Sequence, residues 1–237
     1  MANNPRALSA RFSEEMIQDC LLVMESGSIE DLFEIIPRVG VIRDPRFHKP
    51  LLDLLIQKKD LKRREFASYA IGAMGDRQFL APLKQVFIES RTMKGRAAED
   101  LQISAIEAIG ALGDDAAAEF FLPILTGSEK EKESIKVLRW IVESLGAIAQ
   151  QGGRRSLDVL LRLTHHPNPE LRAQSISELS VAYWHRPNDA EARTIARIIE
   201  LTQDHSQIVA ESALAALQSL ADVGCRRAEK FFLSRGK

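Results

Sequence analysis

The side chains best able to bind a metal or move a proton are five histidines: His48, His165, His166, His185 and His205. His165, His166 and His185 could meet at one edge of a helical stack and hold a metal ion, but isolated turn histidines in water fit the same spacing. Asp114 and Asp115 offer a carboxylate pair. Adjacent residues at a helix start point apart, however, and such residues more often cap the helix that follows. The stretch QGGRRS, Gln151 to Ser156, places glycines ahead of a helix, where backbone N–H groups can bind an anion. It lacks the Lys-Ser/Thr of a P-loop and follows no strand, so a helix–helix turn accounts for it. Cys20 and Cys225 are far apart and no Cys-x-x-Cys occurs, which argues against a zinc knuckle or a disulfide framework. No Ser-His-Asp or Cys-His arrangement can be assembled. The sequence therefore nominates no catalytic residue, metal ligand or cofactor, and the protein is not expected to be an enzyme.

The elements that would position these residues repeat along the chain. AIGAMGD within Ala67–Leu83 returns as AIGALGD within Ile103–Leu125. With the glycine of AIGA as a ruler, the equivalent positions are Gly40, Gly72, Gly110, Gly146, Ser180 and Gln218. They are spaced by 32, 38, 36, 34 and 38 residues, the length of a helix pair. Counted from the ruler, apolar residues fall at −9, −5, −4, −1 and +2. In one unit these are Leu101, Ala105, Ile106, Ile109 and Leu112, and in the next Val137, Ile141, Val142, Leu145 and Ile148. That is one face of a 3.6-residue period, without the alternation of a strand. A Gly or Asp then breaks the helix, and a second apolar stretch follows, as in SLDVLLRLT or TIARIIELT. The small residues around each ruler would let neighbouring helices approach closely, and a left-handed glycine would end the first helix. The expected fold is all-α: an α-α superhelix in which one domain, 1–237, holds about six helix pairs. The repeats run approximately over 13–59, 60–98, 99–131, 132–166, 167–203 and 204–237.

Composition agrees with a packed, alanine-rich helical core: 45% of residues are hydrophobic and only 6% aromatic. A net charge of −1 argues against a general nucleic-acid binder, which needs many phosphate-neutralising cations. No apolar run approaches the ~20 residues of a membrane span and the start lacks a secretory core, so a cytoplasmic protein without membrane insertion is expected.

The segments NPELRAQSISELS and AIGALGDDAAAEFFLPIL resemble HEAT repeats, closest to the HEAT-like subtype of phycobilin lyase subunits and many bacterial proteins. The resemblance covers Asp60–Leu233 strongly and the preceding residues weakly. It implies a stack of helix pairs with the ruler helices on the concave side. Its functional meaning is broad, because this repeat serves many unrelated proteins. Deoxyhypusine hydroxylase, a HEAT-repeat enzyme, holds iron with repeated His-Glu pairs, yet no histidine here precedes a glutamate. HEAT-like alkylpurine DNA glycosylases use a basic, aromatic-lined concave face, which this neutral chain with few aromatics does not match. Two departures stand out: the connection Ile88–Asp100 is longer than a repeat turn needs, and the loop YWHRPND, Tyr183–Asp189, is rich in aromatics.

If ruler helices line the concave side, the column at −3, −6, −7 and −10 faces outward. It supplies Phe66, Tyr69, Glu107, Arg139, Trp140 and Glu143 as protein-binding candidates, joined by Tyr183 and Trp184 of the aromatic loop. Aromatics among polar side chains are enriched at binding hot spots. Trp140 could equally fill a gap between repeats. Lys58, Lys59, Lys62, Arg63 and Arg64 form a basic run, whereas Glu99–Glu133 holds nine acidic residues against Lys130 and Lys132. Uneven charge of this kind would steer a complementary partner, although solvated repeat edges show the same pattern. The expected function is a non-catalytic scaffold or adaptor for a protein partner. The resemblance adds an alternative, a bilin lyase-like or lyase-accessory role on a tetrapyrrole-carrying protein.

Overall fold

The computed structural model describes residues 5–127 and 133–235; Lys130 and Lys132 lie outside them. Among the described residues the chain is all-α, with thirteen α-helices, three short 3₁₀ turns and no strand. Two compact units divide it, residues 1–112 and 113–237, and the division falls inside the expected repeat 99–131.

The first unit holds α1 (Pro5–Ser26), α2 (Ile29–Ile42), α3 (His48–Leu55), α4 (Leu61–Met74), α5 (Leu80–Ser90) and α6 (Arg96–Ala111). The ruler helices α2, α4 and α6 pack side by side in order, while α3 lies on α4 and α5 on α6. The second unit holds α7 (Ala117–Thr126), α8 (Ile135–Gln150), α9 (Arg154–Leu163), α10 (Pro169–Ala182), α11 (Ala192–Leu201), α12 (Gln207–Asp222) and α13 (Arg226–Arg235). Here α8, α10 and α12 form the ruler layer, with α9 against both α8 and α10, and α11 and α13 against α12. Each unit thus shows the side-by-side stacking of an α-solenoid.

The repeated glycine has a steric cause. A Cβ on Gly72 would sit 3.0 Å from the Ala108 Cα, a backbone atom of the next ruler helix. A Cβ on Gly146 would overlap Oε2 of Glu178. Ala108 and Glu178 each stand two residues before the ruler of their own helix. The two contacts therefore share one parallel register in the two units. The stop is made by a different glycine: Gly75, at φ 71°, caps α4 in the left-handed region and donates to the Ile71 carbonyl. Gln218, a long side chain at the ruler position, is exposed and donates to Asp222. Among the described residues no further ruler helix packs on α12, so nothing there demands a small residue.

Buried arginines join the layers. Arg64 and Arg172 both stand eight residues before their rulers. Arg64 is 1% exposed; its Nε donates to the Leu55 carbonyl at 2.8 Å and its Nη2 to Glu89 at 2.6 Å. Arg172 holds Asp204 through Nε at 3.1 Å and Nη2 at 2.8 Å, and its Nη1 donates to the His166 and Pro167 carbonyls. Burial works against the Asp204 charge, but the bonds from Arg172 and from the Ser206 N–H keep its carboxyl below the usual range.

Arg64 therefore corrects the basic run. Arg63 donates to the Gly27 carbonyl at 2.8 Å, and Lys62 pairs with Glu65 at 2.7 Å and Asp100 at 3.6 Å. Lys58 and Lys59 are exposed, and the Lys58 charge acts on the Glu89 carboxyl. Adjacent residues on a helix diverge by about 100°, so a run in sequence does not make a patch in space. The long connection is also shorter than it looks, because α5 continues to Ser90 and α6 begins at Arg96. No single described helix is long and apolar enough to cross a membrane.

Candidate protein-binding face on α8 and α10

Ser134 starts α8 by accepting the Val137 N–H at 3.2 Å. The apolar stripe Val137, Ile141, Val142, Leu145 and Ile148 then faces the core, fully enough to leave the opposite side to polar residues. That side carries Lys136, Arg139, Trp140 and Glu143, which with Ile135 line an open depression of about 290 Å3. Trp140 is half-buried, while Arg139 and Glu143 are exposed. The Trp140 ring makes no aromatic contact with any described residue, and Arg139 forms no hydrogen bond or ion pair with one.

On the neighbouring α10, Gln174 donates to Glu178 at 2.7 Å, and the Glu178 carboxyl occupies the niche left by Gly146. Burial pushes the Glu178 carboxyl up to about 7, and the nearby Glu143 charge adds to the rise, although the Gln174 bond opposes it. The face thus combines a large ring, exposed cations and a carboxyl that titrates near neutrality. It can offer cation–π, ionic and apolar contacts together.

The other expected contact residues distribute unevenly. Phe66 is wholly buried, a correction to its outward placement. The −6 and −7 positions of α6, Ser104 and Ile103, are buried as well. These columns are therefore core in the first unit: α4 is flanked by α2 and α6, and α6 packs against both α4 and α5. Phe33 of α2 meets Phe66 and Tyr69 edge-on, with ring centroids 6.2 Å apart in each case. Tyr69 is partly buried and hydrogen-bonded to Glu107; burial first, then that carboxylate with Glu65 and Asp100, raises its phenol above the usual range. Glu107 is thus engaged within its own unit. Tyr183 is 6% exposed and belongs to the core of the second unit, so it too is withdrawn as a contact. Trp184, in contrast, is 46% exposed. Trp140 stands six residues before its ruler in α8, whereas Trp184 lies in the turn beyond the C-terminal end of α10. They lie at opposite ends of one layer.

The residues that suggested chemistry are mostly structural. Asp114 accepts the Ala116 N–H at 2.9 Å in the turn before α7, whose N-cap, Ala116, makes no side-chain cap bond, so Asp114 is not the expected cap. Asp115 instead reaches α9, where it accepts the N–H groups of Arg155 at 2.8 Å and Ser156 at 2.9 Å and the Ser156 hydroxyl at 2.8 Å. A cap supplied from forty residues away leaves no local signal in sequence. His48 stacks edge-on against Phe79, 5.4 Å between centroids, and lies 3.2 Å from Asp76. Burial, then the Arg197 charge, lowers His165 below the ordinary histidine range. His166 accepts the Asn168 N–H at 3.1 Å. Among the described residues no three His, Cys, Asp or Glu side chains gather as a metal site would require. Cys20 and Cys225 are both buried and free.

Residues 91–180 match the family model described as HEAT repeats. Over that stretch the chain is similar to HEAT repeats. No curated protein matches the chain. Among the solved structures that match is human deoxyhypusine hydroxylase in complex with glycerol. The match is 17% identical, with a TM-score of 0.41, and covers 91% of each chain. A likeness of that size bears on none of the residues above.

Proposed function

We propose that this HEAT-repeat protein is a non-catalytic scaffold that binds a protein partner through the α8–α10 face, with Trp184 as an outlying contact. The reading rests on Trp140. A large aromatic without a ring partner borders an open depression among exposed charges, where binding returns the burial the fold has not given it. Arg139 and Glu143 beside it would set partner orientation and association rate more than affinity.

Tagged protein incubated in native cytosol, compared with the Trp140→Ala/Trp184→Ala variant by mass spectrometry, tests the reading. A protein captured by the wild type and lost with the variant supports it. If the variant captures every partner at wild-type affinity, this surface is the wrong one. The resemblance to bilin lyases supports a second reading only as subtype. It requires an absorbance change when the protein meets a bilin, and flat spectra with several bilins would remove it.

A further inference from the structure

A second depression, of about 280 Å3, opens between the α8–α9 turn and the α10–α11 turn of the second unit. Gly152, Arg154, Tyr183, Arg186 and Asp189 line it, with Glu191 at one side. Most guanidinium groups nearby are committed. Arg155 pairs with Glu119 at 2.9 Å, Arg193 with Asp158 and Glu191, and Arg197 with Glu200 at 3.0 Å. Arg154 and Arg186 differ: neither guanidinium has a hydrogen-bond or ion-pair partner among the described residues. They come from two different turns, and Arg186 Nη2 lies 3.9 Å from where a Gly152 Cβ would stand.

We propose that this depression binds a small phosphate monoester, its oxyanion held between Arg154 and Arg186. The start of α9 does not supply the charge, because Asp115 already takes the Arg155 and Ser156 N–H groups. Two planar guanidiniums match the several oxygens and the near-double negative charge of a phosphate monoester better than a single carboxylate. Two carboxylates also line the depression. Arg193 divides its one charge between Glu191 and Asp158, so Glu191 is only partly neutralised, and Asp189 is the carboxylate without an ion pair beside the two cations. Asp189 suits a hydroxyl or ammonium on the alcohol part of the ester. The Tyr183 hydroxyl is bonded to the Thr194 side chain and the Glu191 backbone, so that wall is fixed. The volume sits at the lower end of small-molecule sites, which run from about 300 Å3 upward. It fits a phosphate on a short chain and is too small for a dinucleotide.

Titration calorimetry with O-phosphoethanolamine and with inorganic phosphate tests the site, alongside circular dichroism to check folding. Binding of both that weakens tenfold or more in Arg154→Ala/Arg186→Ala, but is unchanged in Arg155→Ala, supports it. No heat from either anion at millimolar concentration overturns it, as does equal binding by the double variant or equal loss in Arg155→Ala. Asp189→Asn should remove the preference for phosphoethanolamine over phosphate; an unchanged preference overturns the role given to Asp189. A phosphoserine peptide forms a separate arm. Arginine-dependent binding of the peptide without phosphoethanolamine assigns the phosphate to a protein and overturns the small-molecule source.

Discussion

The same helical column is used differently in the two units. On α4 it is closed: Phe66 is core, Phe33 packs against Phe66 and Tyr69, Tyr69 binds Glu107, and Lys62 is held by Glu65 and Asp100. On α8 the equivalent positions stay open, with Arg139 unpaired and Trp140 lacking a ring partner. One repeat architecture thus produces a satisfied face and an unsatisfied one. The difference comes from neighbours and not from the column's own residue types. An aromatic supplies stability where an adjacent ruler helix brings it a partner, and becomes available for binding where none does.

The largest test of that contrast is truncation of each aromatic. Phe66→Ala should cost about 3–5 kcal/mol of unfolding free energy, since it removes a buried ring and leaves a cavity. Trp140→Ala should cost about 1–2 kcal/mol, because the ring keeps part of its surface in water, while partner binding is lost. Urea denaturation of both variants decides the matter. Equal losses would mean that Trp140 is as structural as Phe66, and the open face would be a misreading.

Next come the two ruler glycines, which meet different obstacles. Gly72→Ala pushes against backbone at Ala108 and should cost about 1–3 kcal/mol, with no remedy from side-chain truncation. Gly146→Ala pushes against the Glu178 carboxyl, and Glu178→Ala should recover most of its cost. A double-mutant cycle with no coupling between Gly146 and Glu178 would show that the niche is not what places that carboxyl.

How far these contrasts are legible in sequence depends on how local their causes are. The 36-residue ruler and the helix period are local, and the helices stand where the pattern puts them. Outward position was misjudged at Phe66, Ser104 and Ile103. One helix's periodicity reports one apolar face and cannot count the helices packed around it. Arg64 reads as one more cation in QKKDLKRRE, but its partners are the Leu55 carbonyl and Glu89 on other segments. Asp115 capping α9, and the absence of any partner for Arg154 and Arg186, are likewise facts about segments tens of residues apart. Trp140 and Trp184 keep exposed surface, as a large ring among polar neighbours suggests. Tyr183, one residue from Trp184, turned inward onto the α11–α12 core.

A smaller effect follows from Glu178 at acid and neutral pH. Its carboxyl titrates near 7 in the folded protein and near 4.5 in an ordinary setting. Between those values the folded state holds a proton that the unfolded chain has released, so stability falls as pH rises from about 4.5 toward about 7. Allowing for partial solvation, the loss amounts to about 1–3 kcal/mol. Glu178→Gln should therefore match the wild type near pH 4.5 and exceed it at pH 8. Parallel stability curves for the two proteins across that window would show that the niche does not perturb the carboxyl, and that the α8 face is less enclosed at Gly146 than its packing indicates.

The smallest effect probes the closed column at its rim. Tyr69→Phe deletes one hydroxyl whose partner, Glu107, is itself only partly buried. The ring and its edge-on contact with Phe33 remain, so the change isolates the hydrogen bond from the packing. A bond to a charged acceptor is worth about 1.5–3 kcal/mol, but water can replace it here, and a loss near 1 kcal/mol is expected. The hydroxyl should also resist ionisation: no phenolate absorbance should appear for Tyr69 at pH values where an exposed tyrosine has titrated. An early phenolate signal, or a Tyr69→Phe variant of unchanged stability, would mean that the first unit's column is open to solvent in the same way as the second's, and the distinction between the two faces would then rest on Phe66 alone.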